Sequence, residues 1–107
     1  MSKIKCIVKR PDEEYGHSTY VSDTLENLQQ IVDGYIEVVT FHKEIGDILI
    51  ICNEMGRLND LEKNLNIFDM EFVGTIIVCG SSGDEFGDIP MDFKTWKRLV
   101  DDFREDE

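Results

Sequence analysis

Two nearly unbroken apolar runs, ILIICN (48–53) and EFVGTIIVCG (71–80), constrain the fold of this chain more than any other feature. Both are rich in isoleucine and valine, and each has about the length of one strand. Apolar side chains that alternate to both sides predict strands that are covered on both faces. Gly74, inside the second run, indicates a bulge or a close approach of another backbone.

Weaker patterns predict the other strands. KIKCIVKR (3–10) alternates polar and apolar residues, which predicts a first strand with one face in water. STYV (18–21) predicts a short second strand that pairs back on the first. YIEVVTF (35–41) is β-branched and aromatic, which is typical of a strand. NDLEKNLNIFDM (59–70) is rich in asparagine and aspartate, so we predict an irregular loop with one helical turn.

Two segments have the apolar spacing of amphipathic helices. SDTLENLQQIVDG predicts a helix over 24–33, with Ser22 or Asp23 as its cap and Gly34 as its left-handed end. In PMDFKTWKRLVDDF (90–103), five large apolar residues share one stripe. A stripe of that width predicts a helix docked on a sheet.

The order of these elements, β-(β)-α-β-β-β-α, predicts an α+β fold. We expect an antiparallel sheet of four to five strands, with a meander over 35–80 and the two amphipathic helices on one face. At 107 residues, the chain predicts a single domain over 1–107, with 103–107 frayed. The apolar strands leave an edge that could pair with a second copy, so a homodimer stays open.

The acidity of the chain limits its partners. Twenty-three acidic residues against 11 basic ones give a net charge of -12. Nucleic-acid backbones and anionic membranes need cationic protein surface, so we expect neither as a partner. The charge has two interpretations: a solvated acidic surface, or a surface that attracts a basic protein as partner. No run approaches about 18 apolar residues and the first residues lack a signal-peptide core, which predicts a cytoplasmic protein.

A glycine-rich segment, VCGSSGDEFGD (78–88), follows a predicted strand, as many phosphate-binding loops do. It lacks the GK[ST] motif, and its carboxylates would repel an anion by about 4 kcal/mol at close range. We therefore predict a flexible acidic exit from the sheet. If this loop has a function, Asp84, Glu85 and Asp88 form a surface for a basic partner or a cation.

The sequence predicts no catalytic residue, metal ligand or cofactor. Cys6, Cys52 and Cys79 each lie in an apolar run, which predicts buried, reduced thiols. His17 and His42 lie in polar turns outside known motifs, which predicts surface positions. No nucleophile therefore has an obvious base.

The sequence contains, in this order, the blocks TLENLQQIVDGYIEVV, ICNEMGRL and FVGTIIVCG. Their order and their residues resemble those of a family of small proteins from phages and mobile elements of Gram-positive bacteria. The family is catalogued as domain of unknown function 3846. The resemblance covers roughly residues 5–80, and LNDLEKNLN departs from the proline-bearing LPxN stretch of the family. It implies a genomic origin and the cytoplasm of a host bacterium, but no activity.

Polar residues within these blocks are candidates for a site. One recognition surface could be bordered by Tyr35, Glu37, Asn53 and Asn64. Arg57 could supply a basic group to a small ligand. The structural alternative is that the asparagines bond the backbone of turns, as this residue type commonly does.

Three functions follow as hypotheses. The first is a non-catalytic phage-type accessory protein that binds and inhibits or sequesters a host component, as an anti-defence protein or an acidic mimic of nucleic acid. The second is a sponge for a nucleotide or another small ligand, formed at a homo-oligomer interface. The third, a small hydrolase or transferase, has the least support because no nucleophile–base pair is apparent.

Overall fold

A computed structural model of the protein describes residues 3–104. It contains an antiparallel sheet, a separate hairpin and two helices, which confirms the predicted α+β class. The elements are β1 (Lys3–Lys9), β2 (His17–Ser22), α1 (Leu25–Val32), β3 (Ile36–Lys43), β4 (Gly46–Asn53), β5 (Lys63–Ile67), β6 (Met70–Val73), β7 (Ile76–Ser82), β8 (Glu85–Gly87) and α2 (Phe93–Arg104).

The main sheet has the strand order β2-β1-β7-β4-β3, and β8 adds a sixth strand beside the end of β7. All of these pairs are antiparallel. The predicted simple meander over 35–80 is wrong, because the chain leaves the sheet after β4 to form the β5–β6 hairpin. It returns as β7 between β4 and β1. Gly74, at φ 71°, breaks the predicted single strand over 71–80 into β6 and β7.

The central strands are apolar on both sides, as predicted. Ile48 and Ile50 of β4 point to one face of the sheet, whereas Leu49 and Ile51 point to the other. β7 alternates in the same way. The sheet therefore has two apolar faces that need cover, which is the physical reason for a three-layer arrangement.

The two helices lie on opposite faces, so the prediction that they share one face is wrong. Leu28 and Val32 of α1 pack on one side of the sheet. Trp96 and Val100 of α2 pack on the other, together with the β5–β6 hairpin. The central strands are therefore covered by α2 and the hairpin on one face and by α1 on the other.

The ends of α1 differ from the prediction. Thr24 is the cap, because its Oγ1 accepts a hydrogen bond from the Asn27 N–H at 3.3 Å. The left-handed residue is Asp33, at φ 62°, and not Gly34. Gly34 is required for another reason, since a Cβ there would lie 2.6 Å from Nδ2 of Asn53.

The segment 59–70 contains strand where we predicted an irregular loop. β5 and β6 form a hairpin closed by Phe68 and Asp69, both at positive φ. Two such residues give the turn twist that suits a tight hairpin. Leu65 and Ile67 are buried on the α2 face, so alternation along a strand, not helical spacing, governs these apolar residues.

Three further differences arise from packing on the α2 face and at the end of β7. The predicted wet face of β1 is buried at Ile7 and Lys9, because α2 and the β5–β6 hairpin cover that side. The acidic exit from the sheet is a short hairpin, β7–β8, that turns at Gly83. Phe103 and Arg104 are helical and not frayed, since Phe103 packs on the core. The rest of the segment predicted to fray, 105–107, lies outside the described residues.

Candidate functional site

An open groove of about 410 Å3 lies on the α1 face of the sheet. α1 is only about 12 Å long, whereas β4 extends about 26 Å, so the helix leaves the end of the sheet near the β3–β4 turn uncovered. Leu49 and Phe86 supply apolar lining, and Thr40 and Ser81 supply hydroxyl groups. The groove forms because α1 covers only part of this face.

Four carboxylates line this acidic groove: Asp23, Asp47, Asp84 and Glu85. The described lining contains no lysine, arginine or histidine. Asp47 is held in place by two neighbours, because its Oδ1 lies 2.8 Å from Nδ1 of His42 and its Oδ2 accepts from the Ser81 hydroxyl at 3.4 Å. The groove is thus a concave surface of negative potential with a partly apolar floor.

The predicted acidic surface is divided between two roles. Asp84 and Glu85 are exposed and line the groove. Asp88 instead accepts a hydrogen bond from the Lys5 N–H at 2.8 Å, next to the bond of Ile89 N–H to Lys5 O at 2.9 Å. Asp88 therefore fastens the end of the β7–β8 hairpin to β1.

A smaller pocket, of about 170 Å3, collects three of the five predicted site residues: Glu37, Asn53 and Arg57. The Arg57 Nη2 donates to the backbone oxygen of Glu71 at 2.7 Å. Glu54 and Glu71 also line this pocket, so its lining holds one guanidinium and three carboxylates, of which that of Glu71 lies 3.6 Å from the Lys63 ammonium. This balance of charge disfavours an anionic ligand.

The other two predicted residues lie outside that pocket. The side chain of Tyr35 is 67% exposed just before β3. Asn64 lies in β5 and borders a different surface depression, beside Lys63 and Glu71. The structure therefore does not assemble all five predicted residues into one surface.

Asn53 connects α1 to the turn after β4. Its Nδ2 donates to the backbone oxygens of Val32 and Asp33 at 3.2 and 3.0 Å, while its Oδ1 accepts from the Met55 N–H at 2.8 Å. The last bond is the turn contact that the sequence suggested. An amide that satisfies three backbone groups at once has a structural role.

Asn64 has a comparable role beside a buried lysine. Its Nδ2 donates to the backbone oxygens of Lys9 and Gly74 at 2.8 and 2.7 Å. Its Oδ1 accepts from the Lys9 ammonium at 2.7 Å. Burial, followed by the nearby charge of Arg104, lowers the pKa of Lys9.

The three cysteines are free and buried, as predicted. Burial is the main reason that the pKa of Cys6 and of Cys52 rises to about 11 and that of Cys79 to about 12. Among residues 3–104, no group of three or more His, Cys, Asp or Glu side chains is placed to hold a metal ion. The helices of that same range include none long and apolar enough to cross a membrane.

We expect the three native thiols to resist a thiol reagent at pH 8 and to react fully in denaturant, because the thiolate is the reactive form. A raised thiol pKa stabilises the folded protein below pH 9.0, and this stabilisation is lost as pH rises through about 11. Mass spectrometry after labelling counts the modified thiols. Labelling of the native protein at the rate of a free thiol would contradict the prediction.

The fold and site define a class: a small three-layer α+β protein with an acidic groove beside an uncovered end of its sheet. The chain belongs to the family described as a domain of unknown function (DUF3846), which matches residues 4–103. The match confirms the family resemblance of the three sequence blocks and extends it over most of the chain. Searches of curated proteins and of solved structures returned no match.

Proposed function

We propose that this protein is a non-catalytic accessory protein that binds, and so inhibits or sequesters, a basic protein of its host. The observation that carries the proposal is the acidic groove, in which the exposed side chains of Asp84 and Glu85 lie beside Asp23 and Asp47. A groove of about 410 Å3 has room for side chains of a partner, since ligand sites commonly measure about 300–1,000 Å3.

The lining suits lysine and arginine side chains of such a partner. A cation near one carboxylate gains about 4 kcal/mol of Coulomb energy at 4 Å in surroundings of intermediate dielectric, before desolvation is subtracted. The aliphatic stem of the same side chain can pack on Leu49 and Phe86. The net charge of -12 also speeds the approach of a basic partner.

The biological setting is part of the proposal. The family resemblance suggests a phage or mobile element as the source, and the cytoplasm of the host bacterium as the place of action. Inhibition of a host defence component, by an acidic surface that stands in for nucleic acid, fits both the setting and the charge. Direct binding of nucleic acid or of an anionic membrane does not fit that charge.

Two other functions receive less support. A sponge for a nucleotide would use the Arg57 pocket, but that pocket measures about 170 Å3 and carries three carboxylates. A hydrolase or transferase needs an activated nucleophile. The raised pKa values of the buried thiols oppose that role, and the Ser81 hydroxyl donates to Asp47.

The groove is tested by the double variant Asp84→Asn/Glu85→Gln. Both side chains are exposed, so the fold should be retained. We expect binding of a fluorescent oligoarginine peptide, measured by anisotropy at low salt, to weaken about tenfold, because two of four groove carboxylates become neutral. The difference should shrink as salt is added.

The matched control is Glu62→Gln/Asp102→Asn, which removes two exposed carboxylates outside the groove lining. It changes the net charge by the same amount, so we expect nearly unchanged peptide binding. Equal weakening by both double variants would show attraction to overall charge alone, and would contradict binding in the groove.

A further inference from the structure

The outer side of β3 is an open sheet edge. β3 ends the strand order, and within residues 3–104 no strand pairs with that side. Glu54 N–H donates to Tyr35 O at 2.8 Å, which fixes the alternation of hydrogen-bonded pairs along β3 and β4. It follows that the backbone groups of Val38, Thr40 and His42 point away from β4.

This edge lacks two common protections against pairing, a proline and a β-bulge. β3 has eight residues, contains no proline, and pairs with β4 in one unbroken register from Ile36 to Lys43. Long, regular edges of this kind are templates for another strand. Exposed apolar side chains lie on and beside it, with Tyr35 67%, Val38 38% and Ile45 50% exposed.

We propose that two copies of this protein pair along β3, antiparallel and centred on Thr40, to form one continuous sheet. A two-fold axis perpendicular to the sheet keeps each side chain on its own face. Because directly opposed residues must share a face, the central residue lies opposite its own counterpart. The register can therefore change only by whole residues, and each change places a different residue at the two-fold axis.

The register centred on Thr40 gives favourable contacts at successive positions. It places Glu37 opposite the partner's Lys43, and does so twice because of the symmetry. Within β3 the pairs are Glu37 with the partner's Lys43, Val38 with the partner's His42, Val39 with the partner's Phe41, and Thr40 with the partner's Thr40. Opposite charges, aromatic with β-branched residues, and paired threonines are the combinations that stabilise neighbouring strands.

Neighbouring registers lose this match. A centre at Val39 places Glu37 opposite the partner's Phe41, and a centre at Phe41 places Lys43 opposite the partner's Val39. Around Thr40, three hydrogen-bonded residue pairs supply about six backbone hydrogen bonds. The net charge of -12 on each copy opposes association, but salt screens it beyond about 8 Å at physiological ionic strength.

Pairing would also extend the acidic groove. Thr40 lines that groove and lies at the two-fold axis, so the two grooves would meet across the interface. A longer basic partner could then span both. The dimer itself does not depend on the proposed function, since it follows from β3 alone.

Cysteine cross-linking tests the register. In the proposed dimer, Thr40 and the partner's Thr40 have Cα atoms about 5.5 Å apart, within the range of a disulfide. Val38 and the partner's Val38 are offset by four residues, or about 13 Å, which is beyond that range. Mild oxidation of Thr40→Cys should give a covalent dimer on a non-reducing gel, and Val38→Cys should not.

Both substituted positions are exposed, so circular dichroism should show a retained fold, and the buried native thiols should stay unmodified. Failure of Thr40→Cys to cross-link, or cross-linking of Val38→Cys to the same extent, would overturn the register.

Charge exchange tests the same pairing independently. Glu37→Lys or Lys43→Glu places like charges opposite each other, and we expect dimer dissociation constants about tenfold higher by sedimentation. An equimolar mixture of the two variants restores both opposite-charge pairs and should restore the dimer, as should the double exchange. A monomeric wild type at all accessible concentrations, or no recovery on mixing, would contradict the proposal.

Discussion

Replacing Trp96 with alanine is expected to destabilise the protein by roughly 3–5 kcal/mol, the usual cost of removing a large aromatic side chain from a core. Trp96 is fully buried between α2 and the sheet. Its Nε1 donates to the backbone oxygen of Tyr15 at 2.8 Å. Alanine would leave a cavity and a carbonyl without its partner. Since the free energy of unfolding of such domains is roughly 5–15 kcal/mol, the stability of the variant would be marginal.

Urea unfolding followed by circular dichroism measures this effect, because Trp96 is the single tryptophan and its fluorescence is lost with it. Trp96→Phe is the matched variant. It keeps most of the apolar volume and loses the bond to Tyr15, so we expect roughly 1–2 kcal/mol. A cost below about 1 kcal/mol for Trp96→Ala would show that α2 does not anchor this layer.

The strands and helices that the sequence predicted well have strong local patterns. β4 and β7 are apolar on both sides, and α2 has a broad apolar stripe that includes Trp96. Each pattern is contained in one short segment and needs no knowledge of its partners. The assignment of helices to faces is different, because it depends on the strand order, and β7 enters the sheet between strands that are distant in sequence.

The β5–β6 hairpin was mispredicted for a local reason. Its turn uses Phe68 and Asp69 at positive φ, where glycine or asparagine is the usual signal. Its asparagines are typical of loops, and the spacing of Leu58, Leu61 and Leu65 resembles that of a helix. The α2 face of the sheet makes the strand favourable because it buries Leu65.

Half of the carboxylates in the acidic groove could be identified from sequence. Asp84 and Glu85 stood out because they lie together in a glycine-rich turn. Asp23 and Asp47 did not, because they reach the groove only through the folding of α1 and the pairing of β4 with β7. In so acidic a chain, no local signal distinguishes these two from the other acidic residues.

The pairing of Asn64 with Lys9 was also beyond local prediction, since 55 residues separate them. Asn64→Ala is expected to cost roughly 3–5 kcal/mol. It removes two hydrogen bonds to backbone oxygens and one to a buried ammonium, and bonds to charged groups contribute about 1.5–3 kcal/mol. Urea unfolding provides the measurement, and a cost below about 1 kcal/mol would contradict the structural role.

A double-mutant cycle with Lys9→Met separates the ammonium from the backbone bonds. After Asn64→Ala the Lys9 ammonium keeps its bond to the backbone oxygen of residue 64, at 3.3 Å, but loses the side-chain oxygen. If this loss at the ammonium causes much of the destabilisation, adding Lys9→Met should recover part of it, whereas additive losses would exclude a coupling between the two side chains. The pH dependence gives a second check. The pKa of Lys9 is already lowered by burial, so the unfolded chain binds more protons just below pH 10.5, and the Lys9 contribution to stability rises with pH there. Loss of the Asn64 oxygen should lower that pKa further. The deficit of Asn64→Ala relative to wild type should therefore be smaller at pH 10 than at pH 7, and because the thiols affect both proteins alike, their titration cancels in this difference.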